Sequence, residues 1–191
     1  MINANHKKAI KGITDIGLEA YIEVRYALVN QKLDIAQKNL LDAIEKAQIH
    51  AFGWPIGAVI NNADYRPRPT ADGIFAEILI KNRDMFSYVK NSYDYWALRK
   101  NGDFYLLKNL FEDDTGGSRD KLIYFNTRIV RTTEVLLHCA RLYANLGVLP
   151  TAEVALAIKY DRNSQTVFSG FHRDSISRES QTIHSTIVRP V

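Results

Sequence analysis

The sequence predicts an α+β fold: an N-terminal helical hairpin, then a mostly antiparallel sheet with one long helix packed on it. Three observations lead to this class. Apolar residues recur at three- and four-residue steps over residues 7–48, short apolar runs bounded by turn residues fill most of residues 51–191, and one helical pattern interrupts those runs. We therefore divide the chain into an N-terminal helical segment, residues 1–50, and an α+β domain, residues 51–191.

The first fifty residues contain two apolar repeats of helical period. The first repeat runs from Lys7 to Val29 and the second from Gln31 to Gln48. Asn30 lies between them, and because asparagine costs only roughly a few tenths of a kcal/mol inside a helix, one long helix is an alternative to the hairpin. Either form presents an apolar stripe to the sheet or to another chain, so we expect a homodimer or a partner protein at these helices.

Turn residues and apolar runs predict the strands of the second segment. Alternating prolines force residues 65–70 into an extended path. The strongest signal is Asn101-Gly102, because this dipeptide between two apolar runs is typical of a hairpin. The predicted strands cover residues 55–60, 74–80, 93–99, 103–107, 122–125, 152–159, 165–168 and 182–188.

The long helix among these strands is predicted from Thr127 to Leu146. Asn126 or Thr127 can cap its start, and Gly147 suits its end. Short connections elsewhere favour antiparallel pairing, so we expect the helix to pack on one face of the sheet. Its predicted core face consists of Ile129, Leu136, Ala140 and Tyr143.

The composition is typical of a globular protein. Of 191 residues, 46% are hydrophobic and 24% charged, and the net charge is +4. Stretches 1–50, 51–100, 101–150 and 151–191 carry +1, +2, 0 and +1, so a phosphate-binding surface would have to be assembled by folding. No run approaches the roughly 18 apolar residues of a membrane span. The single cysteine, Cys139, fits a reducing compartment, so we expect a cytoplasmic protein with no membrane partner.

Two arginines at the start of the long helix form the first candidate site. A helix N-terminus carries partial positive charge, so Arg128 and Arg131 are easier to explain if an anion lies between them. Arg119 and Lys121 on the preceding loop would add to that site. In the alternative interpretation, Arg131 pairs with Glu134, and Arg128 pairs with Asp114 or Asp120.

The second candidate site is the rigid, basic run Arg66-Pro67-Arg68-Pro69. Arginine suits the geometry of phosphate and carboxylate groups, and prolines reduce the entropy lost on binding. Tyr65, Trp54 and Trp96 are candidates for stacking on bases. In the alternative interpretation, the run is a surface crossover and the tryptophans fill the core.

Motifs for catalysis are absent from the sequence. Asp72 and Glu77 miss the Glu-x-Lys spacing of a restriction-type nuclease, and His172 and His184 have no cysteine or acidic cluster at metal-ligand spacing. Gly116-Gly117-Ser118 lacks the lysine of a P-loop. We therefore expect no catalytic residue, no metal and no cofactor, and favour a binding protein, with an enzyme as a third alternative.

Four strings in the middle of the chain, taken together, resemble a known region: Phe52–Gly57, Arg66–Ile74, Tyr93–Asp113 and Phe125–Arg131. They are similar to the uncharacterised C-terminal region of prokaryotic proteins whose N-terminal part is a Schlafen/AlbA-type ATP- or nucleic-acid-binding domain. The similarity covers about residues 50–150, and the nucleotide-binding part has no counterpart in this sequence. The resemblance implies a cytoplasmic accessory or sensor module and transfers no catalytic residue.

The expected function is a non-catalytic binding or sensor module that recognises nucleic acid or another phosphate-bearing ligand. The predicted anion-binding residues are Arg66, Arg68, Arg99, Arg119, Lys121, Arg128 and Arg131. The alternative is a protein-interaction or oligomerisation domain that uses the N-terminal helices and has no ligand of its own.

Overall fold

Three helices and nine strands are present in the computed structural model, which describes residues 2–18, 20–51, 53–81, 91–110, 122–162, 167–169 and 186–188. The α+β class is therefore confirmed. In chain order the elements are α1 (Ile2–Thr14), β1 (Ala20–Leu28), α2 (Gln37–Ala47), β2 (Arg68–Thr70), β3 (Gly73–Ile80), β4 (Ser92–Arg99), β5 (Phe104–Asn109), β6 (Leu122–Tyr124), α3 (Phe125–Asn145), β7 (Val154–Arg162), β8 (Val167–Ser169) and β9 (Thr186–Val188). None of the helices in the described ranges is long and apolar enough to cross a bilayer.

Seven strands form one sheet in the order β2-β3-β4-β5-β1-β7-β9, and all its neighbouring pairs are antiparallel. β6 and β8 form a separate parallel pair. The predicted hairpin at Asn101-Gly102 is confirmed, since β4 pairs with β5 around it. The backbone N–H of Arg99 donates to the carbonyl of Asp103 at 2.9 Å, and Gly102 takes the positive φ, 89°, that closing this short loop requires.

Residues 20–28 are a strand in the middle of the sheet, so the first arm of the predicted helical hairpin is wrong beyond α1. Gly17, at φ 71°, lies where the helix gives way to β1. β1 pairs with β5 on one side and with β7 on the other, which places the N-terminal segment and the rest of the chain in one sheet. The second predicted helix is confirmed as the shorter α2.

The two faces of the sheet carry different helices. α1 packs on one face through Ala9 and Ile13, while α2 and α3 pack on the other. Leu40 and Ile44 of α2 are fully buried against the sheet and α3. Of the two contacts predicted for the apolar stripe of this second helix, the sheet or another chain, the structure shows the first.

The core face predicted for α3 is wrong except at Tyr143. Ile129 and Leu136 are 61% and 42% exposed, and Ala140 is exposed as well. The buried side of the helix consists of Arg131, Glu134, Val135, His138, Cys139, Leu142 and Tyr143. Three of these residues are polar, and partners from distant parts of the chain make their burial possible. Cys139 lies in the core, as expected.

Residues 55–60 are turn and loop rather than the predicted strand. Ile56 and Ala58 are buried, but the carbonyl of Ala58 accepts a hydrogen bond from the indole Nε1 of Trp96 at 2.7 Å. The indole N–H supplies the hydrogen bond that a neighbouring strand would otherwise donate, so this buried carbonyl is satisfied without strand pairing.

Candidate ligand-binding cavity

The described arginines proposed for anion binding do not converge on one surface. Arg66 and Arg68 are exposed near β2, at one edge of the sheet, and Arg68 donates to the carbonyl of Asp64 at 2.9 Å. The guanidinium of Arg128 lies 4.8 Å from the ring centre of Tyr160, on β7. β2 and β7 are five strand spacings apart, about 24 Å, so a single phosphate cannot bridge the two sites.

Two further arginines are held by carboxylates. Arg131 is 1% exposed and donates to Glu134 at 2.8 Å and to the carbonyl of Trp54 at 3.2 Å. The anion site is therefore wrong for Arg131, and the alternative pairing with Glu134 is confirmed. Arg99 donates to Asp72 at 3.0 Å and to Asp103 at 3.4 Å. Arg119, Lys121 and the acidic loop at residues 112–114 lie outside the described residues.

The aromatic candidates also have structural partners. Trp96 is fully buried, so the prediction that it stacks on a base is wrong. The hydroxyl of Tyr65 donates to the carbonyl of Leu79 at 3.1 Å, which fixes the ring against β3. Trp54 is half-buried, and its carbonyl oxygen accepts hydrogen bonds from both Lys108 and Arg131.

These contacts reveal a buried cluster of four charged side chains between the sheet and α3. Nζ of Lys108 lies 3.2 Å from Oδ2 of Asp94. The Arg131–Glu134 pair is linked to Lys108 by the carbonyl oxygen of Trp54, which accepts hydrogen bonds from both Lys108 and Arg131. Burial raises the pKa of Asp94, although Lys108 and Arg131 oppose that rise. All four side chains are 5% exposed or less, so no ligand reaches them and their role is structural.

A cavity of about 520 Å³ opens on the opposite, α1-bearing face of the sheet. Strand register explains its position. Ala97 of β4, Arg25 of β1 and Ala157 of β7 lie in one row across the sheet, and Ala27 pairs with Ala155 in the next row. α1 covers other rows of this face. Short side chains leave open space above the rows that α1 does not cover, and we call these residues, Ala27, Ala97, Ala155 and Ala157, the alanine floor. The lining is mostly apolar, with aromatic walls from Phe75, Tyr95 and Tyr105.

Two cations lie at the α1 end of this cavity. Nζ of Lys8 lies 4.2 Å from the ring centre of Phe75 and 5.2 Å from that of Tyr95, and it pairs with Glu77 at 3.1 Å. The guanidinium of Arg25 lies 5.7 Å from the ring centre of Tyr105. At the hairpin end, Arg99 is held between Asp72 and Asp103, so positive charge facing the cavity is concentrated at the α1 end.

Glu23 fixes the position of Arg25 through an ion pair. Its Oε1 accepts a 2.6 Å hydrogen bond from Arg25 and lies 2.7 Å from Nδ1 of His6. Burial alone would raise the pKa of Glu23, but hydrogen bonds from Arg25, Tyr105 and His6 lower it below its usual value. The carboxylate therefore stays charged, and Arg25 keeps an anchored position.

We expect the substitution Glu23→Gln to destabilise the protein at neutral pH and to do so less at acid pH. Because the pKa of Glu23 is lower in the folded than in the unfolded state, its stabilisation is present above the unfolded value of about 4.3 and is lost as the pH falls through the folded value. Urea denaturation of both proteins from neutral to acid pH measures the difference. A difference in unfolding free energy that stays constant with pH would contradict this account.

The sequence interpretation missed Lys8, Arg25 and the alanine floor. A signal for Arg25 is present in residues 22–26, where apolar and charged residues alternate. Ile22, Val24 and Tyr26 face α3, and the two charged residues between them face α1. That period of two is typical of a strand, although the helical repeat predicted from Lys7 to Val29 runs across it. No sequence signal marks the alanines, since their proximity depends on strand register.

The fold and the cavity together define an α+β domain with an open, apolar site on one sheet face. Comparison with protein-family models, with curated proteins and with solved structures finds no match for this chain. The resemblance to the region that accompanies Schlafen/AlbA-type domains therefore stays a prediction.

Proposed function

We propose that this protein is a non-catalytic binding module whose ligand is a small molecule with a flat apolar body and one anionic group. The cavity on the α1-bearing face carries this proposal. Its volume, about 520 Å³, lies within the range of small-molecule sites, and its lining is apolar with a few polar groups. We also propose that the protein works in the cytoplasm, which its single, buried cysteine supports.

The arrangement of the lining suggests how such a ligand lies. A flat body fits against the alanine floor, beside the contacting rings of Tyr95 and Tyr105. Its carboxylate or phosphate group is then placed at the α1 end, where Lys8 and Arg25 face the cavity. Nucleic acid is less well supported, because the exposed Arg66 and Arg68 are separated from Arg128 by the width of the sheet.

Fluorescence titration with 1-anilinonaphthalene-8-sulfonate, a flat aromatic anion, tests the site. We expect wild-type protein to bind the dye and the Ala157→Leu variant to bind about tenfold more weakly, because the larger side chain fills the floor. Lys8→Met should weaken binding several-fold and reduce its dependence on salt, since the methionine keeps the apolar stem without the charge.

Ala63→Leu is the matched control, because it enlarges an exposed alanine that does not line the cavity. Binding should remain at the wild-type level in that variant. If the dye does not bind, or binds Ala157→Leu as well as it binds wild type, the cavity is not the ligand site.

A further inference from the structure

One face of α3 is exposed and apolar. Ile129, Val130, Leu136 and Leu137 are 61%, 38%, 42% and 47% exposed, and Thr133, Ala140 and Ala144 are exposed beside them. At 100° per residue these positions fall within one sector of the helix, opposite the buried sector that contains Val135, His138 and Leu142. We call the seven exposed residues the α3 stripe. It is separate from the cavity, which lies on the other face of the sheet.

The α3 stripe contains no charged residue. Arg141 borders the stripe, but its guanidinium donates a hydrogen bond to the carbonyl of Gln48, directly after α2, at 3.3 Å. A surface without charge favours a partner that is also uncharged, because a charged partner would lose its hydration without gaining a pair. A second copy of the stripe satisfies this condition.

The sizes of the side chains make the stripe complementary to itself. In an antiparallel pair related by a two-fold axis at residues 136–137, Ile129 of one helix lies at the level of Ala144 of the other. Thr133 then lies at the level of Ala140, so in these two pairs a larger side chain meets an alanine. Leu136 and Leu137 meet at the axis, and Arg141 lies level with the uncharged Thr132.

We propose that the protein forms an antiparallel, two-fold symmetric homodimer through the α3 stripe. The interface is one helix face, so it falls at the low end of interface sizes, below about 1,200 Å², and association is weak. We therefore expect sedimentation velocity to show a monomer–dimer equilibrium across about 1 to 200 μM protein.

Charge placed at the axis tests both the dimer and its symmetry. A residue near a two-fold axis lies close to its own copy, so Leu136→Glu and Leu136→Lys should each raise the dissociation constant about 100-fold or more. Mixed together, the two variants should form a heterodimer, because the introduced carboxylate then faces the introduced ammonium. Circular dichroism of each variant checks that it is folded.

Leu149→Glu is the matched control, since Leu149 is 71% exposed but lies beyond the end of α3. Association should be unchanged in that variant. The proposal is overturned if wild type stays monomeric over the whole concentration range, as it would if another part of the chain covered the stripe. It is also overturned if Leu136→Glu dimerises like wild type, or if the two charged variants fail to associate when mixed.

Discussion

Replacing Lys108 with methionine is expected to lower the free energy of unfolding by about 3–5 kcal/mol, the typical loss when one partner of a buried ion pair is removed. Lys108 is 5% exposed and Asp94 is 1% exposed, so no water compensates the carboxylate that remains. Oδ1 of Asp94 already lacks a hydrogen-bond partner among the described residues, which leaves Oδ2 as the oxygen that Lys108 satisfies. Urea denaturation at neutral pH measures the loss.

Two further variants separate the ion pair from a general effect of losing a lysine. Lys46→Met removes an exposed partner of Asp42 and should change stability by no more than about 0.5 kcal/mol. Asp94→Leu combined with Lys108→Met removes both charges of this ion pair, and we expect the double variant to recover most of the stability lost in the single variant. If Lys108→Met costs no more than Lys46→Met, the cluster does not stabilise the fold as described.

The second large effect is acid destabilisation through His138. Its side chain is fully buried on α3, with Nδ1 2.5 Å from the hydroxyl of Tyr26, and burial lowers its pKa from 6.5 to about 3. Between these values the unfolded state binds a proton that the folded state does not. Stability therefore falls as the pH drops through that window, by about 1.4 kcal/mol per pH unit and about 4–5 kcal/mol in total from this group.

His138→Asn should flatten this dependence, because asparagine Oδ1, which is as far along the side chain as Nδ1, can still accept a hydrogen bond from Tyr26 while the amide does not titrate in this range. Unfolding free energies of both proteins at pH 7, 5 and 4 give the comparison. We expect the variant to be less stable than wild type at neutral pH and to lose less stability on acidification. Parallel curves for the two proteins would show that His138 is not the group that titrates.

Local sequence patterns predict the parts of the fold that depend on local chemistry. β3, β4 and β5 follow from short apolar runs bounded by turn residues and from the Asn101-Gly102 turn. The extent of α3 is also predicted, but its orientation is not. Hydrophobicity places Ile129 and Leu136 inside, whereas the fold buries Arg131 and His138 instead, because the Trp54 carbonyl and the Tyr26 hydroxyl supply their partners. Those partners are 77 and 112 residues away in the chain.

The candidate site could not be predicted for a related reason. A cavity on a sheet face is made where small side chains of several strands fall in adjacent rows, and Ala27, Ala97 and Ala157 come from three separate strands. Their alignment depends on strand register. The sequence pattern predicts a helix where β1 lies, so it gives no register for Ala27. By contrast, Arg66 and Arg68 are conspicuous in the sequence because only Pro67 separates them, although they lie at an edge of the sheet.

The central position of β1 also affects how the chain is made. β1 ends at Leu28, but its two neighbours begin at Phe104 and Val154. At a synthesis rate of about 5–20 residues per second, β1 leaves the ribosome roughly 4–15 s before β5 and roughly 6–25 s before β7. Its apolar side and both its edges are unsatisfied during that interval, while β3, β4 and β5 can pair as soon as they emerge. We expect the β3–β4–β5 meander to form first and β1 to enter the sheet between β5 and β7 as one of the last steps of folding.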